Sequence, residues 1–242
     1  MTRDERVVKI LKWRTDIEAF LLECFPHHFS KPFAPFQHEI FSLLTKFQRI
    51  AIGAPRKHGK SSALTFGYVM WKLFCDPNSH FIILIANNYA NACKFLEPIK
   101  LEIEENKLLK DVFGLQKSDK WSENEIELKC KKKVIVGGND FKIRGQKYLQ
   151  YRPDLVLADD IEDDELVRSE VRRGDLEHWL AVAVEPAMSQ ESSQIIFIGT
   201  VLHRDSQLSK LLTAEGRYRD WKSKNTPPLK SQVKLYGPRL FR

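Results

Sequence analysis

The stretch RIAIGAPRKHGKSS, residues 49–62, decides the fold. Residues 49–54 are a short, mostly apolar run that reads as a strand. The chain then enters a loop ending Gly59-Lys60-Ser61, and residues 60–75 (KSSALTFGYVMWKLFC) read as a helix. Strand, glycine-containing loop and helix in that order are the context of a phosphate-binding loop of pattern G-x-x-x-x-G-K-[ST]. Gly59, Lys60 and Ser61 match the pattern, and Ala54 stands in place of its first glycine. The chemistry survives that change, because backbone N–H groups of the loop and of the helix N-terminus cradle the phosphates. Pro55, Arg56, Lys57, His58, Gly59, Lys60, Ser61 and Ser62 are therefore candidate nucleotide-binding residues. Lys60 is placed to reach the β- and γ-phosphates, and the Ser61 hydroxyl to ligate Mg²⁺.

Working outward, FIILIA (81–86), DLVLADD (154–160) and SQIIFIGT (193–200) are short, almost wholly apolar runs. Such runs mark strands buried on both faces, as in parallel sheets. Helical patterns separate them, at 88–109, 169–187 and 205–212, and two more precede the loop, at 5–23 and 36–47. Residues 123–137 read as two strands around a Lys-rich turn. Alternating strands and helices predict an α/β fold. With the loop, the expected fold is a three-layer P-loop NTPase of ASCE type, with a mainly parallel sheet flanked by helices.

A P-loop ATPase needs a carboxylate at the end of a neighbouring strand to hold the Mg²⁺ shell, and Asp159 ends DLVLAD. Asp160 stands where many such enzymes place the carboxylate that polarises the attacking water, usually Glu. Asp is about 1 Å shorter, and misplacement on that scale costs roughly 100-fold. Either the backbone sits closer here or Glu162 acts instead. Asp163, Asp164 and Glu165 read as a helix-capping acidic loop. Thr200, at the end of another core strand, is a candidate γ-phosphate sensor, with Gly199 permitting close approach. Phe36 and Gln37 offer a ring to stack on adenine and an amide to pair with it.

The chain has 242 residues, 43% hydrophobic and 29% charged, a globular balance. No apolar run is long enough for a transmembrane helix, and the charged N-terminus lacks a signal-peptide core. Cys24, Cys75, Cys93 and Cys130 are scattered, as buried reduced thiols would be. The net charge is +7, yet residues 217–242 carry eight basic residues and one acid, so the whole surplus lies there. Net charge alone is thus weak evidence for nucleic-acid binding.

Together these pieces resemble the ATPase domain of tailed-phage terminase large subunits, over about Pro35 to Leu212. The resemblance rests on PFQ (35–37), the loop with its early Arg56, IRG (143–145), RPDLVLADDIEDDE (152–165) and IGTVLHRDSQLSKLL (198–212). It implies a Mg²⁺-dependent ATPase that drives double-stranded DNA into a procapsid. Homo-oligomeric ring assembly on a portal, a small-subunit partner and the bacterial host cytoplasm follow from it, and a membrane does not. Residue by residue, it implies Gln37 as adenine reader, Arg56 on the γ-phosphate, Asp159 on magnesium and Asp160 as catalytic acid. Gly199 and Thr200 would couple hydrolysis to movement, and Arg144 or Arg152 would serve a neighbouring subunit as arginine finger. Ala54, Asp160 and the Val201-Leu202 pair depart from the family pattern. Expected divisions are a helical lead-in (1–34), the ATPase domain (35–215) and a basic linker or truncated edge of a nuclease domain (216–242), with no nuclease activity in this chain. A RecA-like helicase or remodeller is the alternative motor, though it calls for a second motor domain. An inactive prophage remnant that only binds nucleotide is the alternative without turnover.

Overall fold

The computed structural model describes residues 1–55, 58–188 and 193–225. In chain order the elements are α1 (Arg3–Thr15), α2 (Ile17–Cys24), α3 (Pro35–Leu44), β1 (Arg49–Gly53), a π-helical segment (Ser62–Tyr68) running into α4 (Val69–Phe74), and β2 (Phe81–Ile85). Next come α5 (Tyr89–Glu105), α6 (Lys107–Phe113), β3 (Lys117–Trp121), β4 (Glu125–Leu128), β5 (Lys132–Gly137) and β6 (Leu155–Asp159). The last are α7 (Asp164–Arg168), α8 (Glu170–Trp179), a second π-helical segment (Leu180–Val184), α9 (Glu185–Ala187), β7 (Gln194–Gly199), α10 (Gln207–Thr213) and β8 (Lys222–Asn225).

One eight-stranded sheet runs in the order β3-β4-β5-β2-β6-β7-β1-β8. The six strands from β5 to β8 pair in parallel, and β3 and β4 close one edge antiparallel. The expected three-layer α/β architecture is therefore present. β7 lies between β1, which leads into the loop, and β6, which ends in the acids.

Side chains alternate across a strand, so each buried strand feeds two cores. Ile50, Ile52, Ile82, Leu84, Leu155, Leu157, Ile196 and Ile198 join the core under α1–α6. Ala51, Phe81, Ile83, Ile85, Val156, Ala158, Ile195 and Phe197 join the core under α7–α10. This explains the unbroken apolar runs. It also fixes parity at the strand ends: Asp159 continues the Leu155–Leu157 series and Thr200 the Ile196–Ile198 series. Both belong to the face that carries the helix after the loop.

Several local expectations change. The helix expected over 5–23 breaks at Asp16, whose carboxylate accepts from the Ala19 N–H (2.8 Å) and caps α2. Val8 and Leu11 are then exposed, and Trp13 is the buried anchor of α1. Its carbonyl accepts from Trp71 Nε1 at 2.7 Å. The helix expected over 88–109 is likewise divided at Asn106, which caps α6 through Leu109 N–H. Asp163 caps α7 through Leu166 N–H, as the acidic-loop reading requires. β3, KSDKW, and β8, KSKN, carry no apolar pattern; both are mostly exposed and lie at the sheet edges. β8 falls within the stretch read as a basic linker and pairs with β1; residues 226–242, the rest of that stretch, lie outside the described residues. Cys24, Cys75 and Cys93 are buried, but Cys130 is exposed in the turn between β4 and β5.

Asp154, just before β6, has a structural role. Its carboxylate accepts from Ser79 Oγ (2.8 Å), His80 N (2.5 Å) and Phe81 N (2.7 Å), clamping the start of β2. Burial pushes its pKa up against the pull of those donors. Hydrogen bonds to a charged group are worth about 1.5–3 kcal/mol, and losing them strands buried N–H groups. Asp154→Ala is expected to cost about 3 kcal/mol, read as a lower denaturant midpoint at unchanged slope.

Candidate nucleotide site

The site lies at the C-terminal ends of β1, β7 and β6, where parallel sheets place their ligands. Lys60 is buried, 6% exposed. Its ammonium donates to the Ala54 carbonyl (2.7 Å) and to Thr200 Oγ1 (2.9 Å). Thr200 Oγ1 in turn donates to the same carbonyl at 3.2 Å. The chain thus ties the loop's entry, its lysine and the end of β7 into one knot. Ala54 N–H donates to Gly199 O, extending the β1–β7 ladder by one bond. Gly59 has φ +69°, a left-handed conformation that favours glycine. Around Lys60, Gly59, Ser61 and Ser62 are exposed and Pro55 and His58 half-buried. Arg56 and Lys57, both expected here, lie outside the described residues.

Asp159 is 2% exposed. Its Oδ2 accepts from Thr65 Oγ1 at 2.5 Å, and its Oδ1 has no hydrogen-bond partner among the described residues. Desolvation raises its pKa to about 6, opposed by the Thr65 and Ser61 hydroxyls and by Lys60. A buried carboxylate oxygen without a partner, beside a serine hydroxyl, suits a hard cation that takes oxygen ligands. The donor set therefore fits Mg²⁺. Thr65 was not singled out from the sequence. Its signal was its spacing, four residues after Ser61, which puts both hydroxyls on one helical face.

Asp160 differs sharply from its neighbour. It has φ +44°, a conformation that Asp tolerates better than most residues. Its side chain is about half exposed, with Oδ1 3.7 Å from Lys60 Nζ. A Cβ on Gly199 would stand 3.5 Å from that same oxygen and 3.1 Å from Leu208 of α10, so the close approach at Gly199 is to Asp160 and α10. Glu162 is brought elsewhere. It is 8% exposed, and its two oxygens accept from Gln207 N (2.7 Å) and Leu208 N (2.9 Å), anchoring the N-terminus of α10. Burial raises its pKa against those two bonds.

Phe36 and Gln37 do lie beside the loop. With Gly59 and Lys60 they line one recess. The Phe36 ring meets His58 edge-on at 6.2 Å. Gln37 Oε1 accepts from Ala34 N–H (2.8 Å), which fixes the amide at the start of α3 and uses one of its lone pairs. Arg144 and Arg152 are exposed, and neither has an ion-pair partner among the described residues. Arg144 follows β5 on the loop edge of the sheet, whereas Arg152 precedes β6 at the opposite edge.

No family model and no curated protein sequence matches the chain. Solved structures do. A large terminase ATPase domain of Thermus phage P74-26 superposes with a TM-score of 0.58 at 15% identity, covering 84% of each chain. The chain shares the fold of phage large-terminase ATPase domains. The HK97 bacteriophage large terminase matches at TM-score 0.53 and 17% identity, over 88% of this chain and 41% of that one. A large terminase from a thermophilic bacteriophage, solved with ATP-γ-S, matches at TM-score 0.53 and 14% identity, over 80% of this chain and 44% of its own. This chain thus spans less than half the length of those two terminases. No helix among the described residues is long and apolar enough to cross a membrane.

Proposed function

We propose that this chain is the ATP-hydrolysing motor domain of a phage DNA-packaging terminase, working with double-stranded DNA in a homo-oligomeric ring on a portal, together with a small subunit, in the bacterial host cytoplasm. The observation that carries the reading is the convergence of Lys60, Thr200, Asp160 and Asp159 from three strand ends onto one phosphate-binding loop. The ATP-γ-S complex of a similarly folded terminase supports the choice of nucleotide.

In this reading Phe36 and Gln37 hold the adenine, and Pro55 to Ser62 hold the phosphates, with Arg56 on the γ-phosphate. Lys60 neutralises charge that develops on the transferred phosphoryl group, and Thr200 keeps the ammonium aimed at it. Ser61 and Asp159 would hold Mg²⁺, which would supply charge neutralisation at the phosphates. Asp160 takes the proton of the attacking water. Asp160 follows the last residue of β6, is about half exposed and has a positive φ, which supports this reading. Glu162 is committed to α10 and serves as a positioning residue for the segment after Thr200. Arg144 and Arg152 remain the candidate fingers for a neighbouring subunit.

The assignment is tested by ATP turnover over a range of protein concentrations, with Mg²⁺ and double-stranded DNA present. Turnover per chain should rise with concentration, as a finger supplied in trans requires. Asp160→Asn should lower it about 100- to 1,000-fold, while Glu162→Gln stays within about tenfold and loses stability instead. Equal losses in both variants would return Glu162 to the reaction. Absence of both ATP binding and turnover would remove the motor reading.

A further inference from the structure

Away from the nucleotide site, the turn after α2 brings two imidazoles onto one carboxylate of α5. His27 Nε2 lies 2.5 Å and His28 Nε2 3.3 Å from Glu102 Oε1, and the three ligand atoms all lie within 4.8 Å of one another. Glu102 is 5% exposed. Its other oxygen accepts from Asn106 Nδ2 at 2.7 Å, and the same amide donates to the Cys24 carbonyl at 2.7 Å. The carboxylate is therefore oriented from behind, as the outer partners of metal ligands do. His28 is held against Phe66, with ring centroids 4.4 Å apart.

Glu102 has no Lys or Arg ion-pair partner among the described residues; two imidazoles face its Oε1. A carboxylate this deeply buried calls for a cation. Two imidazole nitrogens and one carboxylate oxygen are the ligand types of a borderline transition ion, whereas Mg²⁺ and Ca²⁺ favour oxygen alone. The His27 side chain is 56% exposed, which leaves a path from solvent and room for a water ligand.

We propose that His27, His28 and Glu102 form a divalent transition-metal site, with Zn²⁺ as its first occupant, that pins the N-terminal helices to α5. The site shares no ligand with Ser61 or Asp159, and it stands apart from the motor reading. His28 also lines a cavity of about 210 Å³ with Ser61, Ser62 and Thr65, so the cluster lies next to the helix that follows the loop.

The test is calorimetric titration of the metal-stripped, nucleotide-free full chain with ZnCl₂, alongside thermal unfolding. One ion per chain should bind, and Tm should rise roughly 5–10 °C at about a hundredfold excess over Kd. His27→Ala, a change at an exposed side chain, should weaken binding at least about tenfold with the fold intact. Asp159→Asn should leave Zn²⁺ uptake unchanged. No Zn²⁺ uptake would overturn the proposal, as would uptake that survives His27→Ala and is lost in Asp159→Asn.

Discussion

Lys60→Ala is expected to lower ATP turnover by about 100- to 1,000-fold, because it removes a preorganised cation from the place where phosphoryl charge develops. The ammonium is held before any nucleotide arrives, by the Ala54 carbonyl and by Thr200 Oγ1. Little reorganisation is then left for the reaction itself, which is why such a group outweighs a surface lysine. The fold should survive, since the hydrophobic cores on both faces of the sheet do not include this side chain. The change does leave the Ala54 carbonyl with Thr200 as its side-chain donor. Circular dichroism and the denaturant midpoint, measured beside turnover, separate the two effects. Near-parental turnover in a folded variant would dismiss the loop assignment.

The second large effect belongs to Asp159 and runs in two directions. Burial raises its pKa from 3.8 to about 6 in the folded, nucleotide-free chain. Between those values the unfolded chain is ionised while the folded one keeps its proton. Stability therefore falls as pH rises from about 4 to 6, and the penalty persists above that range. Asp159→Asn removes it. The variant should be more stable than the parent at pH 7–8, by on the order of 1–3 kcal/mol, with the difference vanishing below pH 4. Its Mg²⁺-dependent turnover should nevertheless fall by about 100-fold or more, since the carboxylate is the ligand proposed for the ion. Urea unfolding across pH 4–8, with and without Mg²⁺-ATP, measures both. A variant less stable than the parent at pH 8 would contradict the desolvation account. A functional carboxylate kept at a cost to stability is an expected pattern at active sites.

Much of this was legible in the sequence for one reason: short-range chemistry repeats locally. RIAIGAPRKHGKSS carries its own strand, loop and helix start, and the order survives in β1, Gly59 and the helix beyond it. FIILI, LVLAD and QIIFIG are buried at every position, so their place in a central parallel sheet followed from the apolar runs and the helical stretches between them. The elements that escaped reading have no such pattern. KSKN is a strand because β1 offers it an open edge, and KSDKW because β4 does. Their pairing is a backbone interaction with a distant partner, which no local periodicity records.

The candidate site divides the same way. The sequence by itself singled out the groups proposed to meet a nucleotide: Lys60, Ser61, Asp159, Asp160 and Thr200, each at the end of a recognisable element. Strand parity even fixes that Asp159 and Thr200 share the face of the loop's helix. Only the tertiary structure shows that Glu162 is tied to α10 while Asp160 stays exposed, because that depends on where α10 docks. Once Gln207 and Leu208 bring their N–H groups to Glu162, its carboxylate is engaged, and Asp160 is left exposed beside Lys60. In the same way, His27 and His28 lie some 75 residues from Glu102, and nothing along the chain announces their meeting. Residue type is written locally, whereas burial and partnership arise when segments far apart in sequence exclude water from one another.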